Sequence, residues 1–256
     1  MAERPSTDPP IVHAMHPPLV DYYDAADNRR NWLRKTFDAT AGDYDRMERL
    51  LGFGSGSWHR RRALCRAGLA RGMRILDVGV GTGLVAREAA SLVGDPTLVT
   101  GVDPSPGMLK HARVPAGVKL VEGSAEDLHF PDATFDFLSM GYALRHISDL
   151  AIAAREFHRV LKPGGLVCII EITKPETRIG TALLKGFMRG VVPALAHVAA
   201  RNSETPKLWR YYWDTIESCV PPAGVLATLR DVGFAHVERV VDLGIFSEYR
   251  ARKGGK

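Results

Sequence analysis

The stretch Arg74-Ile75-Leu76-Asp77-Val78-Gly79-Val80-Gly81-Thr82-Gly83-Leu84 decides the fold. Ile75 to Val78 reads as a short apolar strand, and Leu84 to Leu92 as an Ala-rich helix. A strand, glycine loop and helix in that order present free backbone N–H groups and a helix N-terminus to a ligand. Glycines let the backbone approach closely, since a Cβ would intrude. The dinucleotide fingerprint G-x-G-x-x-G would require glycine at Leu84. The third glycine is instead Gly83, giving G-x-G-x-G with Asp77 two residues ahead.

Outward from that loop the texture is alternating. Leu98 to Val102 is a second strand, ended by Asp103-Pro104, and Pro106 to Ala112 a helix with proline near its start. Val118–Val121 and Phe135–Met140 are a third and a fourth strand. A helix over Leu150–Leu161 is stopped by Lys162-Pro163-Gly164-Gly165, where proline ends the helix and the glycines permit a reversal. Leu166–Ile172 is almost wholly apolar, as at the centre of a parallel sheet covered on both faces. This predicts an α/β, Rossmann-like, doubly wound and mostly parallel sheet. Val237–Val241 and Ile245–Tyr249 lie too close together for a crossover helix, so they predict an antiparallel C-terminal edge hairpin.

A length of 256 residues suffices for one sizeable domain. The first twenty residues lack the apolar run of a signal peptide, and no stretch reaches the roughly 18 apolar residues of a membrane span. Cys65, Cys168 and Cys219 are scattered, which argues against a disulfide framework and a cysteine zinc site and fits a reducing cytoplasm; no metal is expected. Net charge is +5, and no acid occurs between Glu48 and Asp77 although Arg49, Arg60, Arg61, Arg62, Arg66, Arg71 and Arg74 do. That stretch is either a solvated helix face or a patch for anionic lipid or nucleic acid. Only Trp58 interleaves with these arginines, so a nucleic-acid stacking platform is poorly supported.

Asp103, at the end of the second strand, can accept from both ribose hydroxyls of a nucleoside; the bland alternative is a helix N-terminal residue before Pro104. Further segments follow in order: Phe37-Asp38 with Tyr44-Asp45, Asp103 to Leu109, Ala125 to Asp136, Leu144-Arg145-His146 with Asp149, Arg159 to Gly165, and Glu171 to Pro175. Across roughly Phe37 to Arg250 the chain resembles the class I S-adenosylmethionine-dependent methyltransferases. More narrowly, it resembles the ubiquinone/menaquinone-biosynthesis C-methyltransferases.

The resemblance implies S-adenosyl-L-methionine as cofactor, with Asp77, Gly79, Gly81 and Gly83 around its methionine part and Asp103 on the ribose. Ser124 and Ala125 would face the adenine, where relatives usually carry Asp or Asn in place of Ser124. Met108 and Gly141 would complete the cofactor site. The prolines Pro5, Pro9, Pro10, Pro17 and Pro18 read as part of a mobile arm over residues 1–27, followed by a single domain over 28–253. Within the domain, 28–70 would be a helical lid, 74–175 the cofactor-binding core, 176–218 substrate-covering helices, and 219–253 a last helix and strands.

Transfer from a sulfonium mainly requires alignment. A quinol ring carbon also needs a neighbouring hydroxyl to lose its proton, hence a nearby base. Arg145 matches the arginine of the family's L-R-N segment, whereas His146 replaces its Asn and can accept a proton itself. The alternative is that Arg145 pairs with an acid such as Asp149 and His146 packs against a helix. Tyr44 resembles the family's lid tyrosine, or is a core aromatic. The apolar stretch 180–200 is either a core helix or a groove for a prenyl tail. Trp209, Tyr211, Tyr212 and Trp213 either line the same cavity or pack.

The acceptor is therefore expected to be a small, lipophilic molecule such as a prenylated quinol. An N- or O-methyltransferase of lipid headgroups or natural products is the rival, kept open by His146 and Gly141-Tyr142-Ala143. A homodimer and peripheral contact of the arginine-rich stretch with the inner membrane face are compatible partners; an RNA methyltransferase is disfavoured because no RNA-binding module flanks the domain.

Overall fold

The strand that opens the glycine loop, β1 (Ile75–Val78), is buried at all four positions. It pairs in parallel with β2 (Val99–Asp103) on one side and β4 (Phe135–Gly141) on the other. β3 (Lys119–Glu122) continues the parallel sheet beyond β2, and β5 (Leu161–Ile172) continues it beyond β4. The computed structural model describes residues 12–23, 26–51, 55–200 and 202–255. Two further strands, β6 (Phe234–Asp242) and β7 (Phe246–Lys253), give the sheet order β3-β2-β1-β4-β5-β7-β6.

The expected hairpin is present, but its second strand is the one joined to the sheet. β7 runs antiparallel on β5, and β6 antiparallel on β7, so β6 again runs with the first five strands. The expected reversal at Lys162-Pro163-Gly164-Gly165 is instead an irregularity within β5. Phe135 stands opposite Leu161 and Phe137 opposite Leu166, with Gly164 at φ 78° absorbing the excess. Because the chain winds outward from β1 through β2 to β3 and then crosses to β4, the carboxyl ends of β1 and β4 flank a crevice. Ligands of doubly wound sheets bind at such a switch point.

On one face of the sheet, α2 (Gly56–Arg66) and α3 (Leu84–Val93) cover Ile75, Val99, Phe137 and Ile170. On the other, α5 (Leu150–Val160) and α9 (Pro222–Asp231) cover Leu76, Leu138 and Ile169. A third cluster sits by the end of β5 at Ile172. It is built from α1 (Ala26–Leu51), α6 (Arg178–Gly186), α7 (Val192–Ala199) and α8 (Thr205–Ser218).

Of the expected mobile arm, residues 1–11, 24 and 25 lie outside the described residues, and so do residues 52–54 of the glycine break after α1. Residues 12–23 are docked. The Val12 N–H donates to Thr228 Oγ1 at 2.9 Å, the His13 carbonyl accepts from Leu150, and the Met15 carbonyl accepts from Val220. Val12 and Met15 enter the core beside α9.

The expectation that no segment is apolar enough to cross a bilayer fails. Arg178–Ala199 is one 22-residue helical run with an 18-residue window of mean hydropathy 1.2, joined across Phe187–Val191 by a π turn. Counting uninterrupted apolar residues missed it, because Lys185 and Arg189 divide the run. One edge of it, Met188, Val192 and Ala196, packs into the third cluster.

Candidate active site

A cavity of about 340 Å³ fills the crevice at the strand ends, within the range of small-molecule sites. Its outer part is built by the glycine loop. Gly79 has φ 69°, and a Cβ there would lie 2.6 Å from Cβ of Ala143, so both its conformation and its space demand glycine. Gly79 and Gly81 line the cavity. Gly83 does not: it caps α3 at φ 87°, where a Cβ would strike Val114.

Asp77 does not line the cavity either. It lies buried below the loop, its Oδ1 accepting from Ser139 Oγ at 2.7 Å, and burial pushes its carboxyl up to about 7. Asp77 and Gly83, expected around the methionine part of the cofactor, thus stand outside the cavity lining and shape the loop from beneath.

Asp103 does face the cavity. Its Oδ2 accepts from the Gly81 N–H at 2.8 Å and its Oδ1 from the Ser105 N–H at 2.9 Å, which leaves one lone pair on each oxygen. Burial pushes it up to about 6, against the pull of those two N–H groups. Met108, Ser124, Ala125 and Gly141 line the same cavity. Ser105 Oγ caps α4 (Pro106–His111) through Met108 N–H and itself donates to Asp38 Oδ1 at 2.6 Å. Asp38 also accepts from Gly107 N–H at 2.7 Å, Asp45 accepts from Thr82, and Arg34 pairs with Glu122 at 3.3 Å. The acids of Phe37-Asp38 and Tyr44-Asp45 thus latch α1 to the cofactor core, while Phe37 and Tyr44 line the cavity.

The inner end is aromatic. The His146 ring lies 5.3 Å from Phe37, 5.5 Å from Tyr212 and 5.7 Å from Tyr211 between centroids. Both its ring nitrogens are buried without a hydrogen-bond partner among the described residues. Burial, with the Arg145 and Arg29 cations, holds its pKa well below the usual 6.5, so the imidazole is neutral. Tyr44 and Tyr212 share a hydrogen bond between hydroxyls at 2.9 Å. Of the four aromatics in α8, only Tyr212 lines the cavity.

Arg145 does not reach the cavity. It is 1% exposed and pairs with Glu171 on β5, with its guanidinium carbon 4.3 Å from the centroid of the Tyr212 ring. The expected partner, Asp149, instead caps α5 through Ile152 N–H and meets His13 at 2.8 Å. Sequence reasoning missed Arg60, which lines the cavity while bonded to Glu48 at 2.7 Å; Tyr142, held at φ 60° after β4, lines it together with Met140, Gly141 and Ala143. Glu122 was the more legible omission, since β3 aligns it directly opposite Asp103.

Four of the seven arginines of the arginine-rich stretch, Arg60, Arg61, Arg62 and Arg66, are paired within the fold. Arg61 pairs with Glu88, Arg62 and Arg66 with Asp242, and Arg66 also with Glu248. The acids come from α3, β6 and β7, remote in sequence, so a run free of acids in the chain is partly neutralised in the fold. His59, Asp242 and Glu248 come together within 4.8 Å, but the Arg66 guanidinium already bonds both carboxylates.

The family model of the ubiE/COQ5 methyltransferases matches residues 24–253. The chain belongs to that family. It is 30% identical over 215 residues to the ubiquinone/menaquinone biosynthesis C-methyltransferase UbiE of Coxiella burnetii, covering 81% of this chain and 85% of that one. It is 32% identical over 185 residues to the demethylmenaquinone methyltransferase of Staphylococcus aureus, covering 70% and 77%. Among solved structures, a Thermotoga maritima S-adenosylmethionine-dependent methyltransferase superposes with TM-score 0.60 at 21% identity, covering 86% of this chain and 99% of that one.

This methyltransferase uses S-adenosylmethionine, and its residues fit that cofactor. The Gly79–Gly81 turn leaves a cradle that a Cβ would fill, and Asp103 keeps acceptor capacity toward the cavity. Ala125 and Met108 offer apolar walls at the far side of the same space.

Proposed function

We propose that this enzyme methylates a ring carbon of a prenylated quinol. The observation that carries the reading is the inner end of the cavity: a partnerless neutral imidazole among Phe37, Tyr44 and Tyr212. An aromatic slot holds a flat ring, and His146 offers a nitrogen lone pair to that ring's hydroxyl. Gly79, Gly81, Asp103, Met108, Ser124, Ala125 and Gly141 hold the cofactor in this reading, which supplies an activated methyl on a sulfonium. His146 draws the hydroxyl proton as the ring carbon attacks. Arg60, Arg145 and Arg29 place positive charge around that end. Their field favours the quinolate, the nucleophilic form, by the same interaction that disfavours imidazolium.

Arg145 acts by position. Its pairing with Glu171 and its contact with the Tyr212 ring hold the aromatic wall in place. Tyr44 supports the same wall through its hydroxyl bond to Tyr212. The cationic field also argues against the headgroup reading, since an amine or ammonium acceptor would be repelled where a carboxylate is wanted. The relatives' names point the same way.

The test offers the purified enzyme a short-chain demethylated quinol, its oxidised quinone and phosphoethanolamine, each with radiolabelled S-adenosylmethionine. Transfer to the quinol alone is expected. Transfer to phosphoethanolamine and not to the quinol would overturn the proposal.

A further inference from the structure

Carbon methylation of a quinol moves two protons, and His146 accounts for one of them. The hydroxyl proton passes to its imidazole as the ring carbon attacks the methyl. The carbon–methyl bond forms and the carbon–sulfur bond breaks, its electron pair staying on sulfur. The attacked ring carbon then carries both the methyl and its original hydrogen. Aromaticity returns when that hydrogen leaves as a proton, the C–H electron pair re-enters the ring, and the oxygen recovers its proton from His146. One proton is left over, and it starts on carbon. The buried site therefore needs a second proton acceptor with a path to solvent.

A chain of polar groups leads out of the cavity at Tyr142. This residue stands at φ 60°, and of the four non-glycine residues with positive φ among the described residues it is the one that lines the cavity. A bulky L residue takes that conformation at a cost that its surroundings must offset. Its N–H donates to the Ile170 carbonyl at 2.7 Å, and the Arg60 guanidinium carbon lies 5.4 Å from the centroid of its ring. Arg60 in turn bonds Glu48, four residues on from Tyr44 and so on the same face of α1. Tyr142 thereby adjoins the aromatic end of the cavity at Tyr44.

The Tyr142 hydroxyl lies 3.2 Å from His59 Nδ1. His59 is buried on α2 next to Arg60, with its ring 4.4 Å from that of Phe246 between centroids. Its Nε2 is buried without a hydrogen-bond partner among the described residues, and so is Glu248 Oε2. A ring nitrogen of His59 lies within 4.8 Å of an oxygen of both Asp242 and Glu248, a span that one water closes. Arg66 bonds both carboxylates, and the Asp242 side chain keeps 16% exposure. Burial pushes the Tyr142 phenol up, so it stays a hydroxyl and donates to Nδ1. Burial also holds His59 below its usual 6.5, helped by the Arg60, Arg66 and Arg62 cations and opposed by Asp242. The imidazole is therefore neutral and able to accept a proton.

We propose that Tyr142 is a second catalytic residue, which takes the ring-carbon proton on its hydroxyl oxygen while its own proton passes to His59. The phenol gains one proton and loses one, so it ends the step as it began, and the imidazolium carries the surplus. His59 acts through Tyr142 as a positioning residue. Asp242 and Glu248 stabilise its charged form, and the proton leaves to solvent on the side of Asp242. The proposal rests on the quinol reading, which supplies the ring-carbon proton.

The test follows turnover of a short-chain demethylated quinol and of the same quinol carrying deuterium at the ring position to be methylated, with the full chain. In Tyr142→Phe the ring-carbon proton loses its acceptor, so kcat should fall by at least about tenfold with cofactor affinity unchanged. The isotope effect on kcat should be larger than in the wild type, because loss of the ring hydrogen now limits the rate. His59→Gln still offers an oxygen to the phenol but cannot take its proton, and it should raise the isotope effect in the same way. Should His59→Gln lose cofactor affinity, Tyr142→Phe, which keeps its ring beneath Arg60, carries the comparison alone. A lower kcat in Tyr142→Phe with the isotope effect of the wild type would mean a structural role and overturn the proposal. So would a wild-type kcat in Tyr142→Phe. Failure of the quinol reading shows separately, as no methylation of either quinol by the wild type itself, and the proposal falls with it.

Discussion

Replacing Arg145 by Met tests whether this arginine positions the site or does chemistry in it. The substitution leaves Glu171, 1% exposed, without its cation. Breaking a buried pair by removing one partner costs about 3–5 kcal/mol, because the other charge stays buried. For a chain of this size each kcal/mol lowers Tm by about 2–4 °C, so the loss should be roughly 6–20 °C. The sign of its pH dependence follows from the survivor. Burial already pushes the Glu171 carboxyl up and Arg145 pulls it down, so in the variant its folded-state pKa rises further above the unfolded value. The folded variant then binds more protons than the unfolded chain, and its stability falls as pH rises from about 4.5.

Calorimetric melts of wild type, Arg145→Met, Glu171→Leu and the double variant at pH 5 and 8 measure this. The single Arg145 variant should lose more at pH 8, and the double variant should recover most of the loss. In activity, removing the cation releases His146 upward toward its ordinary value. The acid limb of the rate profile should move to higher pH, with kcat reduced and cofactor affinity intact. A variant that melts within about 2 °C of wild type yet has lost all activity would refute the positioning role.

Three further outcomes follow from the site. His146→Ala or His146→Asn should lower kcat by roughly 10²-fold or more with cofactor affinity unchanged in calorimetry, since Arg145 does not reach the cavity to substitute for it; near-wild-type turnover of His146→Asn would contradict this. Cofactor binding should weaken as pH falls through about 6, because the ribose contact needs the Asp103 carboxylate and its ligand-free pKa is raised to about 6; affinity is then full above 6 and falls by up to about tenfold per unit below it, a slope that Asp103→Asn should abolish. Gly79→Ala should cost about 2–4 kcal/mol in a denaturant melt and cut cofactor affinity, because its Cβ meets Ala143 in a left-handed turn; Ala143→Gly should restore part of the loss.

What sequence revealed here was the part governed by local chemistry. The strand, glycine loop and helix from Ile75 to Leu92, the carboxylate ending β2 and the close pair β6–β7 all announce themselves within a few residues. Where partners are remote, sequence was silent. Arg145 meets Glu171, 26 residues on, and Arg66 meets Glu248, 182 residues on. Charge runs along a chain therefore say little about charge on a surface. The cavity wall at Tyr212 and Arg60 depends on how α8 and α2 cross the strand ends, which no periodicity encodes. The exposed face of Arg178–Ala199 was hidden because its inner and outer faces are both apolar, and only packing tells them apart.

The central claim is carbon methylation of a quinol by residues gathered around His146. The most direct measurement is the position of a carbon-13 methyl in the product after turnover of a demethylated quinol with labelled S-adenosylmethionine, read by nuclear magnetic resonance. The account predicts a methyl carbon bonded to a ring carbon. A methyl on a ring oxygen, or an unlabelled ring under conditions where the cofactor is bound, would contradict it.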